Sequence, residues 1–422
     1  MSGENRDPVR VVTFGCRLNA YESEWMRENV STLGAGDTVI VNTCAVTAEA
    51  ERQVRQAIRK LHRENPEARI IVTGCAAQLA PERYAAMAGV VRVLGNREKL
   101  EAVSFAPGGG DAIRVSDIAG VRETAPHMVE GFEGRSRAFV QVQQGCDHRC
   151  TFCIVPFARG PNRSHPLSRI AEQVRILLAA GVPEFVLTGV DIASWGTELA
   201  GTPRLGSLVR GLLDAVPGLA RLRLSSLDPA AIDDELIDLL TGEPRLLPYV
   251  HLSAQAGDDM ILKRMRRRHS RADLVRLIDR LRTGRADIAI GADMIAGFPT
   301  ETEAMFENGL ALVGECGISH LHVFPFSPRP GTPAARMPRV PGTAVRERAL
   351  RLREAGAAEM ARVLAGRVGT TVTAVLEEGG RARDDHYLPL RVEGLTEPPP
   401  AGTVATVAVT GSDGTVLMGE CR

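Results

Sequence analysis

The chain has 422 residues, of which 44% are hydrophobic and 24% are charged, a composition that is typical of a soluble globular protein and excludes disordered and fibrous classes. At about 100 to 200 residues per domain, this length predicts two or three domains. The 51 basic and 51 acidic side chains balance to a formal charge of zero. This balance argues against a protein that coats nucleic acid or membrane through bulk charge.

The sequence predicts a cytoplasmic protein. It contains no run of about 18 apolar residues that could span a membrane, and the N-terminal segment MSGENRDPVR lacks the apolar core of a signal peptide. Thiols stay reduced in the cytoplasm, so the eight cysteines are better explained as metal ligands or catalytic groups than as disulfides.

Residues 1–105 form the first predicted domain, which is of the α/β class. The apolar runs VRVVTFG, DTVIVNT, ARIIVTG and VVRVLG alternate with helical patterns at 20–32, 47–62 and 81–87. This alternation predicts a doubly wound parallel sheet. The glycine cluster at 107–110 and the polar stretch after it predict a linker over 106–134.

Residues 135–365 form a second α/β series. Six candidate strands lie at 138–144, 184–190, 220–226, 249–255, 288–298 and 320–327. Six strand and helix units indicate a partial (β/α)6 barrel, because the eight-unit barrel typically needs about 250 residues. A helix near 343–365 closes the series. Residues 366–422 alternate short apolar runs with turns, which predicts a small antiparallel β-barrel.

Three cysteines, Cys146, Cys150 and Cys153, follow the first strand of the second domain. At this spacing three thiolates can each bind a different iron of a cubane iron–sulfur cluster and leave the fourth iron open. The alternative is a structural zinc site, for which His148 or His165 would supply the fourth ligand.

Three other cysteines, Cys16, Cys44 and Cys75, each follow a predicted strand of the first domain. The carboxyl ends of parallel strands share one edge of a sheet, so we expect these thiols to meet there and to hold one metal centre. The alternative is that they pack as small hydrophobic residues. Packing, however, gives no reason for a cysteine to recur at the same place in each βα unit.

With the barrel that follows it, the trio Cys146, Cys150 and Cys153, which is the second cysteine set in chain order, resembles the radical S-adenosylmethionine (SAM) superfamily. The chain as a whole resembles the methylthiotransferase family within it. The segments that carry this resemblance are TFGCRLNAYES, VNTCAVT, TGCAAQ, GCDHRCTFCIVPFARG, LRLSSLDP, HLSAQAGDDMILKRMRR, GADMIAGFPTET and HVFPFSPRPGT. The family inserts a methylthio group into tRNA or a ribosomal protein. The resemblance implies two [4Fe–4S] clusters, SAM, a tRNA anticodon loop as substrate, and an electron donor of flavodoxin or ferredoxin type. It also implies that the C-terminal barrel is a TRAM domain, which helps to bind the substrate.

The resemblance further implies SAM-binding positions in the barrel. These are Phe152 between the last two ligands, Gly189 after the second strand, and Ser225 and Gln255 at later strand ends. The chain lacks the acidic residue of the fuller glycine-rich motif, although Asp191 follows. Simple packing is the alternative for Phe152, and helix capping is the alternative for the others.

Arginines are the candidate contacts to RNA. We single out Arg264, Arg266, Arg267 and Arg268 in the barrel, and Arg381 and Arg383 in the C-terminal segment. The first four belong to a basic run that is either a solvated face or a phosphate-binding surface beside the active site. From residue 367 onward the chain has five arginines and eight acidic residues. Such a segment can bind RNA only through a few well-placed side chains.

The phrase GCRLNAYE, which begins at Gly15, is similar to the group of the family that modifies N6-threonylcarbamoyladenosine. The isopentenyladenosine group favours Gln-Met-Asn in this phrase, and the ribosomal group favours Pro-Lys-Asn. We therefore expect N6-threonylcarbamoyladenosine-37 of tRNA as substrate, with isopentenyladenosine-37 as the alternative. A non-catalytic iron–sulfur protein, serving electron transfer or as a scaffold, is the alternative from another class. The missing fourth ligand in both cysteine sets argues against it.

Overall fold

The computed structural model describes residues 9–31, 37–107, 110–124, 128–129, 136–394 and 399–422. Within these ranges, none of the helices is both long enough and apolar enough to cross a membrane.

The first domain is a five-stranded parallel sheet whose strand order follows the chain. Its elements are β1 (Val9–Thr13), α1 (Arg17–Ser31), β2 (Thr38–Thr43), α2 (Ala48–Glu64), β3 (Arg69–Gly74), α3 (Cys75–Leu79), α4 (Pro81–Ala85), β4 (Val90–Leu94) and β5 (Ile113–Arg114). The first four strands match the predicted ones. The short strand β5 lies inside the segment that the sequence assigns to a linker, so the sheet extends beyond the predicted boundary.

Helices cover both faces of this sheet. Ile40 and Ile71 face α1, while Val41 and Val72 face α2. This alternation is the period-two pattern of strands that are buried on both sides. The start of α2 is fixed by Thr47, whose side chain accepts a hydrogen bond from the backbone N–H of residue 50.

The second domain is the predicted partial barrel. Its elements are β6 (Ala138–Gln141), β7 (Gln143–Gln144), α5 (Val155–Arg159), β8 (Arg163–Ser164), α6 (Leu167–Ala179), β9 (Phe185–Thr188), α7 (Leu205–Ala215), β10 (Leu222–Leu224), α8 (Asp234–Gly242), β11 (Tyr249–Gln255), α9 (Asp259–Met265), α10 (Arg271–Gly284), β12 (Ala289–Ala296), α11 (Glu303–Glu315), β13 (Ile318–Pro325) and α12 (Gly342–Ala365). Strands β6, β9 and β10 form one parallel sheet and β11, β12 and β13 another. Parallel bridges join them, from Leu222 to Leu246 and from Leu227 to Leu252. The six-stranded series is therefore confirmed.

The first domain lies across the open side of this barrel. The hydroxyl of Tyr21 in α1 donates a hydrogen bond to Gln173 in α6, beside the first strand. The backbone N–H of Ala48 donates to the hydroxyl of Ser327, just after the last strand. Side chains of α1 also share one apolar core with the barrel strands. Both ends of the strand series thus meet the first domain.

The C-terminal domain is a closed five-stranded barrel in the order β14-β15-β16-β18-β17. The strands are β14 (Thr371–Leu376), β15 (Arg381–Asp384), β16 (Pro389–Glu393), β17 (Val404–Ser412) and β18 (Leu417–Cys421). Four neighbouring pairs are antiparallel, as predicted, and β16 with β18 is parallel. A ring of five strands cannot alternate direction throughout, because five is odd. One parallel pair is therefore required for closure.

Candidate active site between the two cysteine sets

The three cysteines of the first domain all lie at the carboxyl ends of β1, β2 and β3. Cys16 precedes α1, Cys44 follows β2 directly, and Cys75 is the first residue of α3. The loop before Cys16 passes very close to Cys44. At Gly15 the backbone φ is +96°, and a Cβ there would lie 2.9 Å from the sulfur of Cys44. Only glycine therefore allows these two cysteines to approach each other.

Buried polar side chains hold the three loops in register. The hydroxyl of Thr43 accepts hydrogen bonds from the backbone N–H groups of Ala76 (3.1 Å) and Ala77 (3.2 Å), just after Cys75. The amide of Asn19 donates to the carbonyls of Phe14 (2.7 Å) and Thr43 (3.0 Å). All three strand ends are thus tied together independently of any metal.

A buried cluster of charges connects this site to the second domain. Arg159, in α5, donates through Nε to the sulfur of Cys75 at 3.1 Å, and through both terminal nitrogens to the carboxylate of Glu22 in α1. The ammonium of Lys99 donates to the same carboxylate at 2.6 Å. The side chains of Glu22 and Lys99 are fully buried, and that of Arg159 is 1% exposed. Arg159 lies six residues after Cys153, so its guanidinium joins the first cysteine site to the short helix that follows the second cysteine loop.

The charges in this cluster explain the acidity of Glu22. Burial alone would raise the pKa of its carboxyl, but Arg159 and Lys99 outweigh burial and hold the pKa at about 2. Glu22 is therefore ionised and offsets one of its two cationic partners. The guanidinium of Arg159 also contacts the sulfur of Cys75.

The thiol of Cys44 lies in a less favourable environment. Burial, together with the neighbouring Cys75, raises its pKa to about 12. The backbone N–H of Val46, 3.5 Å from the sulfur, and the charge of Arg159 lower this pKa but do not outweigh burial. A buried thiol of this kind becomes a thiolate when a cation binds, as a metal site requires.

The second cysteine set lies on the loop after β7. At Gly145 the backbone φ is +69°, and a Cβ there would lie 1.8 Å from the carbonyl oxygen of Pro161, so a side chain cannot be accommodated. Next to it, the N–H of Cys146 donates to the carbonyl of Gly160 at 3.0 Å. Thr151, within the loop, donates from its hydroxyl to the carbonyl of Arg264 at 2.8 Å. The loop is thereby anchored both to α5 and to α9.

Charged groups surround the sulfurs of this loop. A terminal nitrogen of Arg267 lies 3.8 Å from the sulfur of Cys150. The carboxylate of Asp191 lies 3.7 Å from the sulfur of Cys146 and bonds to Ser194 at 2.7 Å. Burial, followed by Asp191, raises the pKa of Cys146, and burial raises the pKa of Cys153 to about 12. These thiols too require a bound cation in order to ionise at neutral pH.

The spacing of the sulfurs bears on the zinc alternative. Within the described residues, which include all six cysteines, neither trio has its sulfurs all within 4.8 Å of one another. A tetrahedral zinc ion with bonds of 2.3 Å would bring its sulfur ligands to about 3.8 Å. Both trios are therefore wider than a single zinc ion requires, and three thiols at such a spacing fit a cubane cluster better.

A cavity of about 270 Å³ opens beside the second cysteine set. Its lining includes Cys150, Asp228 and the consecutive arginines Arg266, Arg267 and Arg268. Arg264 is not part of this lining, since its guanidinium donates to the carbonyl of Thr300 at 3.2 Å. Three members of the predicted basic run thus lie together at the site.

Two of these arginines are bound to protein. Arg267 donates to Asp228 (3.0 Å) and to the carbonyl of Ser253 (2.7 Å), and Arg268 donates to Asp228 at 2.9 Å. Burial would raise the pKa of Asp228, but Arg267 and Arg268 outweigh it and lower the pKa. Arg266 is exposed and closes α9 in a left-handed conformation, with φ +59°. Arg267 and Arg268 are therefore anchored on Asp228, while Arg266 and Arg268 are both exposed to solvent.

The four predicted SAM-contacting residues have different surroundings. Phe152 packs edge-on against Phe298, with ring centroids 6.5 Å apart, inside a small apolar cluster. A Cβ at Gly189 would lie 2.7 Å from the carbonyl oxygen of Gln143, so a side chain is excluded there. Ser225 is 8% exposed at the end of β10. Gln255 ends β11 with φ +69°, a conformation that is uncommon outside glycine.

The amide of Gln143 organises the edge around Gly189. Its oxygen accepts hydrogen bonds from the backbone N–H groups of Val190 (3.0 Å) and Asp191 (2.8 Å). Its nitrogen donates to the carbonyl of Gly145 at 2.7 Å. One buried glutamine therefore connects the strand end at Gly189 to the start of the cysteine loop.

A polar cluster inside the barrel was not predicted. The carboxylate of Asp293 in β12 bonds to His251 in β11 (3.0 Å) and His322 in β13 (3.2 Å), and Tyr249 bonds to His251 at 2.8 Å. Burial would raise the pKa of Asp293, but its hydrogen bonds to the two histidines hold that pKa well below its usual range. The alternating pattern of the segments HLSAQ and GADMIA is enough to predict that both are strands. It does not predict which polar side chains of neighbouring strands contact each other, so no sequence pattern indicated this cluster.

Comparisons with known proteins agree with this geometry. Residues 140–313 match the family model described as the radical SAM superfamily, and residues 8–95 match uncharacterized protein family UPF0004. The chain is 48% identical over 383 residues to a threonylcarbamoyladenosine tRNA methylthiotransferase, MtaB, of Rickettsia prowazekii, covering 91% of each chain. It is 40% identical to the protein of that name from Thermotoga maritima, covering 78% of this chain and 77% of that one.

A second group of relatives has a different substrate in its name. A tRNA-2-methylthio-N(6)-dimethylallyladenosine synthase of Cereibacter sphaeroides is 34% identical over 431 residues, with 97% of each chain covered. Among solved structures, the radical SAM methyltransferase TsrM of Kitasatospora setae matches with a TM-score of 0.53 at 17% identity. The match covers 78% of this chain and 74% of that one, and it bears on the fold alone. With two cysteine trios on two α/β domains and relatives of this identity and coverage, the chain belongs to the radical SAM methylthiotransferase family.

Proposed function

We propose that this protein converts N6-threonylcarbamoyladenosine-37 of tRNA to its 2-methylthio derivative. The observation that carries the proposal is Arg159, which contacts the sulfur of Cys75 and lies on the short helix after the second cysteine loop. A reaction that activates a C–H bond at one site and delivers sulfur from another needs both sites to be held in a fixed relation. A buried, fully bonded guanidinium provides that rigidity.

Each cysteine trio would hold one [4Fe–4S] cluster, and SAM would bind beside the trio of the barrel. Bound there, these groups supply reductive cleavage of SAM for hydrogen abstraction at one site and a methylthio group at the other. The support for this assignment is the donor chemistry: each site has three thiols, and among the described residues their sulfurs are spread more widely than one zinc ion needs.

The chain's own residues would position SAM and exclude water. Gly189 leaves room at the strand end beside the loop, and Gln143 holds that edge through two backbone N–H groups. Phe152 belongs to an apolar cluster that shields one side of the loop. Ser225 and Gln255 would offer polar groups from neighbouring strand ends.

For RNA we propose contacts by Arg266 and Arg268, which line the cavity beside Cys150 and are exposed. Arg267 would instead position the second cysteine loop, because its guanidinium contacts the sulfur of Cys150 and the carboxylate of Asp228. In the C-terminal barrel, which we propose to be a TRAM domain, Arg381 is exposed and Arg383 borders the second domain through Tyr387. Contacts to phosphate would orient the anticodon loop.

The threonylcarbamoyl substrate is favoured over the dimethylallyl one by the higher identity to relatives with that name, 48% against 34%. The motif GCRLN at Cys16 also agrees with that group. If the protein were instead a non-catalytic iron–sulfur protein, both sites would bind metal but SAM would not be cleaved. An assay of SAM cleavage therefore distinguishes the two functions.

The test uses anaerobically reconstituted protein with dithionite, SAM and synthetic anticodon stem-loops. One stem-loop carries N6-threonylcarbamoyladenosine and the other isopentenyladenosine. We expect 5′-deoxyadenosine from SAM and the methylthio product with the first RNA. The matched variants Cys150→Ala and Cys421→Ala separate a ligand from an exposed cysteine outside both sites. Failure of the wild type to cleave SAM, or product only with the second RNA, would contradict the proposal.

A further inference from the structure

Four guanidinium groups surround one tyrosine at the junction of the three domains. Tyr387 lies on the loop between β15 and β16 and stacks on Tyr249 of the barrel, with centroids 5.3 Å apart. The guanidinium carbons lie 5.0 to 5.8 Å from its ring centre, and they belong to Arg17, Arg137, Arg223 and Arg383. This is an unusual density of positive charge for a chain with zero net charge.

Two of the four are neutralised by protein carboxylates. Arg137 pairs with Glu184 at 2.9 Å and with Glu377 at 2.7 Å. Arg223 pairs with Glu184 at 2.9 Å, and its remaining nitrogens donate to backbone carbonyls at residues 384 and 385. Both guanidinium groups are therefore paired with carboxylates, as buried cations require, while the buried Nη2 of Arg137 has no hydrogen-bond partner among the described residues.

The other two are not neutralised. In the part of the chain that the structure describes, no carboxylate lies within 4.0 Å of Arg17 or Arg383. The hydrogen bond of Arg383 is to the carbonyl of Tyr387, at 3.2 Å. Both side chains are half-buried. Partly desolvated cations that lack a carboxylate partner favour an anion beside them.

The position of this pair relates it to the reacting base. Arg17 directly follows Cys16, so its backbone belongs to the rim of the first cysteine site. Tyr249, against which Tyr387 stacks, bonds to His251 in the barrel interior at 2.8 Å. The pair thus lies between the first cysteine site and the interior of the barrel, which is where a base must lie to receive a group from that site.

We infer that Arg17 and Arg383, with Tyr387 between them, form a subsite for a carboxylate carried on N6 of the adenine. The inference rests on the proposed function. In N6-threonylcarbamoyladenosine the threonyl group ends in a carboxylate, whereas the isopentenyl group is apolar. Atoms C2 and N6 lie on the same edge of the purine, so this carboxylate stays near the reacting carbon. A phosphate of the RNA backbone has similar chemistry, and the experiment separates the two sources.

The test compares three stem-loops, which carry threonylcarbamoyladenosine, its neutral carboxamide analogue, or unmodified adenosine. Dissociation constants come from fluorescence anisotropy with reconstituted protein, and kcat/KM is measured for the first two RNAs. We expect the wild type to favour the carboxylate over the carboxamide by about 100-fold. In Arg17→Gln and in Arg383→Gln this ratio should fall to about threefold or less. Arg10→Gln, at an exposed site on β1, should keep the wild-type ratio.

The outcomes are distinguishable. If both variants keep the carboxylate preference while the wild type modifies its RNA, the subsite is refuted and the proposed function stands. If the variants weaken all three RNAs equally, the pair binds phosphate and the inference is wrong. If the wild type modifies neither modified RNA, the proposed function itself fails. Because Arg383 is remote in sequence from the cysteines, unchanged iron content in its variant separates lost recognition from a damaged metal site.

Discussion

The buried carboxylate of Glu22 contacts two cations, and its replacement by glutamine tests how the first two domains are held together. Glu22 and Lys99 are 0% exposed and the side chain of Arg159 is 1% exposed. Glutamine keeps the shape of the side chain but removes its charge. Both cations then remain buried without the carboxylate that contacts them.

The size of the effect follows from the pKa of Glu22. Its value of about 2, against an ordinary 4.5, favours the ionised form in the folded state by about 3 kcal/mol. Breaking a buried ion pair by removing one partner costs about 3–5 kcal/mol, which agrees. We therefore expect Glu22→Gln to lower the free energy of unfolding by about 3 kcal/mol at pH 7. Because the folded-state pKa lies below the unfolded one, this contribution is present above about pH 4.5 and is lost as the pH falls toward 2.

The assay is denaturant unfolding of the reduced, metal-free protein, followed by the fluorescence of its two tryptophans, Trp25 in α1 and Trp195 in the barrel domain. Glu64→Gln is the matched control, because its pair with Lys60 is exposed (53% and 67%) and is expected to contribute less than about 1 kcal/mol. The difference between wild type and Glu22→Gln should be constant from pH 8 to about 5 and narrow below that range. A loss no greater than that of the control, or a difference that widens in acid, would refute this reasoning.

Three further changes test the site. Gly15→Ala would place a Cβ 2.9 Å from the sulfur of Cys44, at a residue whose φ of +96° is strained for alanine. We therefore expect less iron after reconstitution and a free energy of unfolding that is lower by about 1–3 kcal/mol. Wild-type iron content and stability would contradict this. Arg159→Met removes the hydrogen bond to the Cys75 sulfur, and iron per chain should fall toward half, whereas an unchanged ratio would show that the contact is dispensable. Arg266→Gln should weaken stem-loop binding three- to tenfold and reduce the salt slope by about one, and equal slopes would remove Arg266 from the RNA surface.

Local sequence patterns predicted most of the fold and both cysteine sets. Apolar runs at the spacing of βα units identified four strands of the first sheet and six of the barrel, because such strands are buried on both faces. Cys16, Cys44 and Cys75 could be assigned to one rim because parallel strands end at the same edge. Strand β5 was missed because two residues carry no periodic signal.

The charged contacts could not be predicted from the sequence. Glu22 and Arg159 are separated by 137 residues, and no local pattern pairs them. The basic run around Arg267 carried two open interpretations, a solvated face or a phosphate site. The structure shows a mixture of the two environments. Arg267 and Arg268 both donate to the carboxylate of Asp228, and Arg266 is exposed to solvent. Pairing of this kind depends on the tertiary fold, which brings α9 against the loop after β10.

The most direct test of the proposed activity is made in cells. Deletion of the gene, followed by mass spectrometry of nucleosides from total tRNA, should remove the 2-methylthio derivative of N6-threonylcarbamoyladenosine and leave its unmethylthiolated precursor in place. Wild-type protein should restore the derivative, whereas Cys150→Ala protein should not. An unchanged level of that nucleoside in the deletion strain, or loss of only the methylthiolated isopentenyl nucleoside, would contradict the assignment.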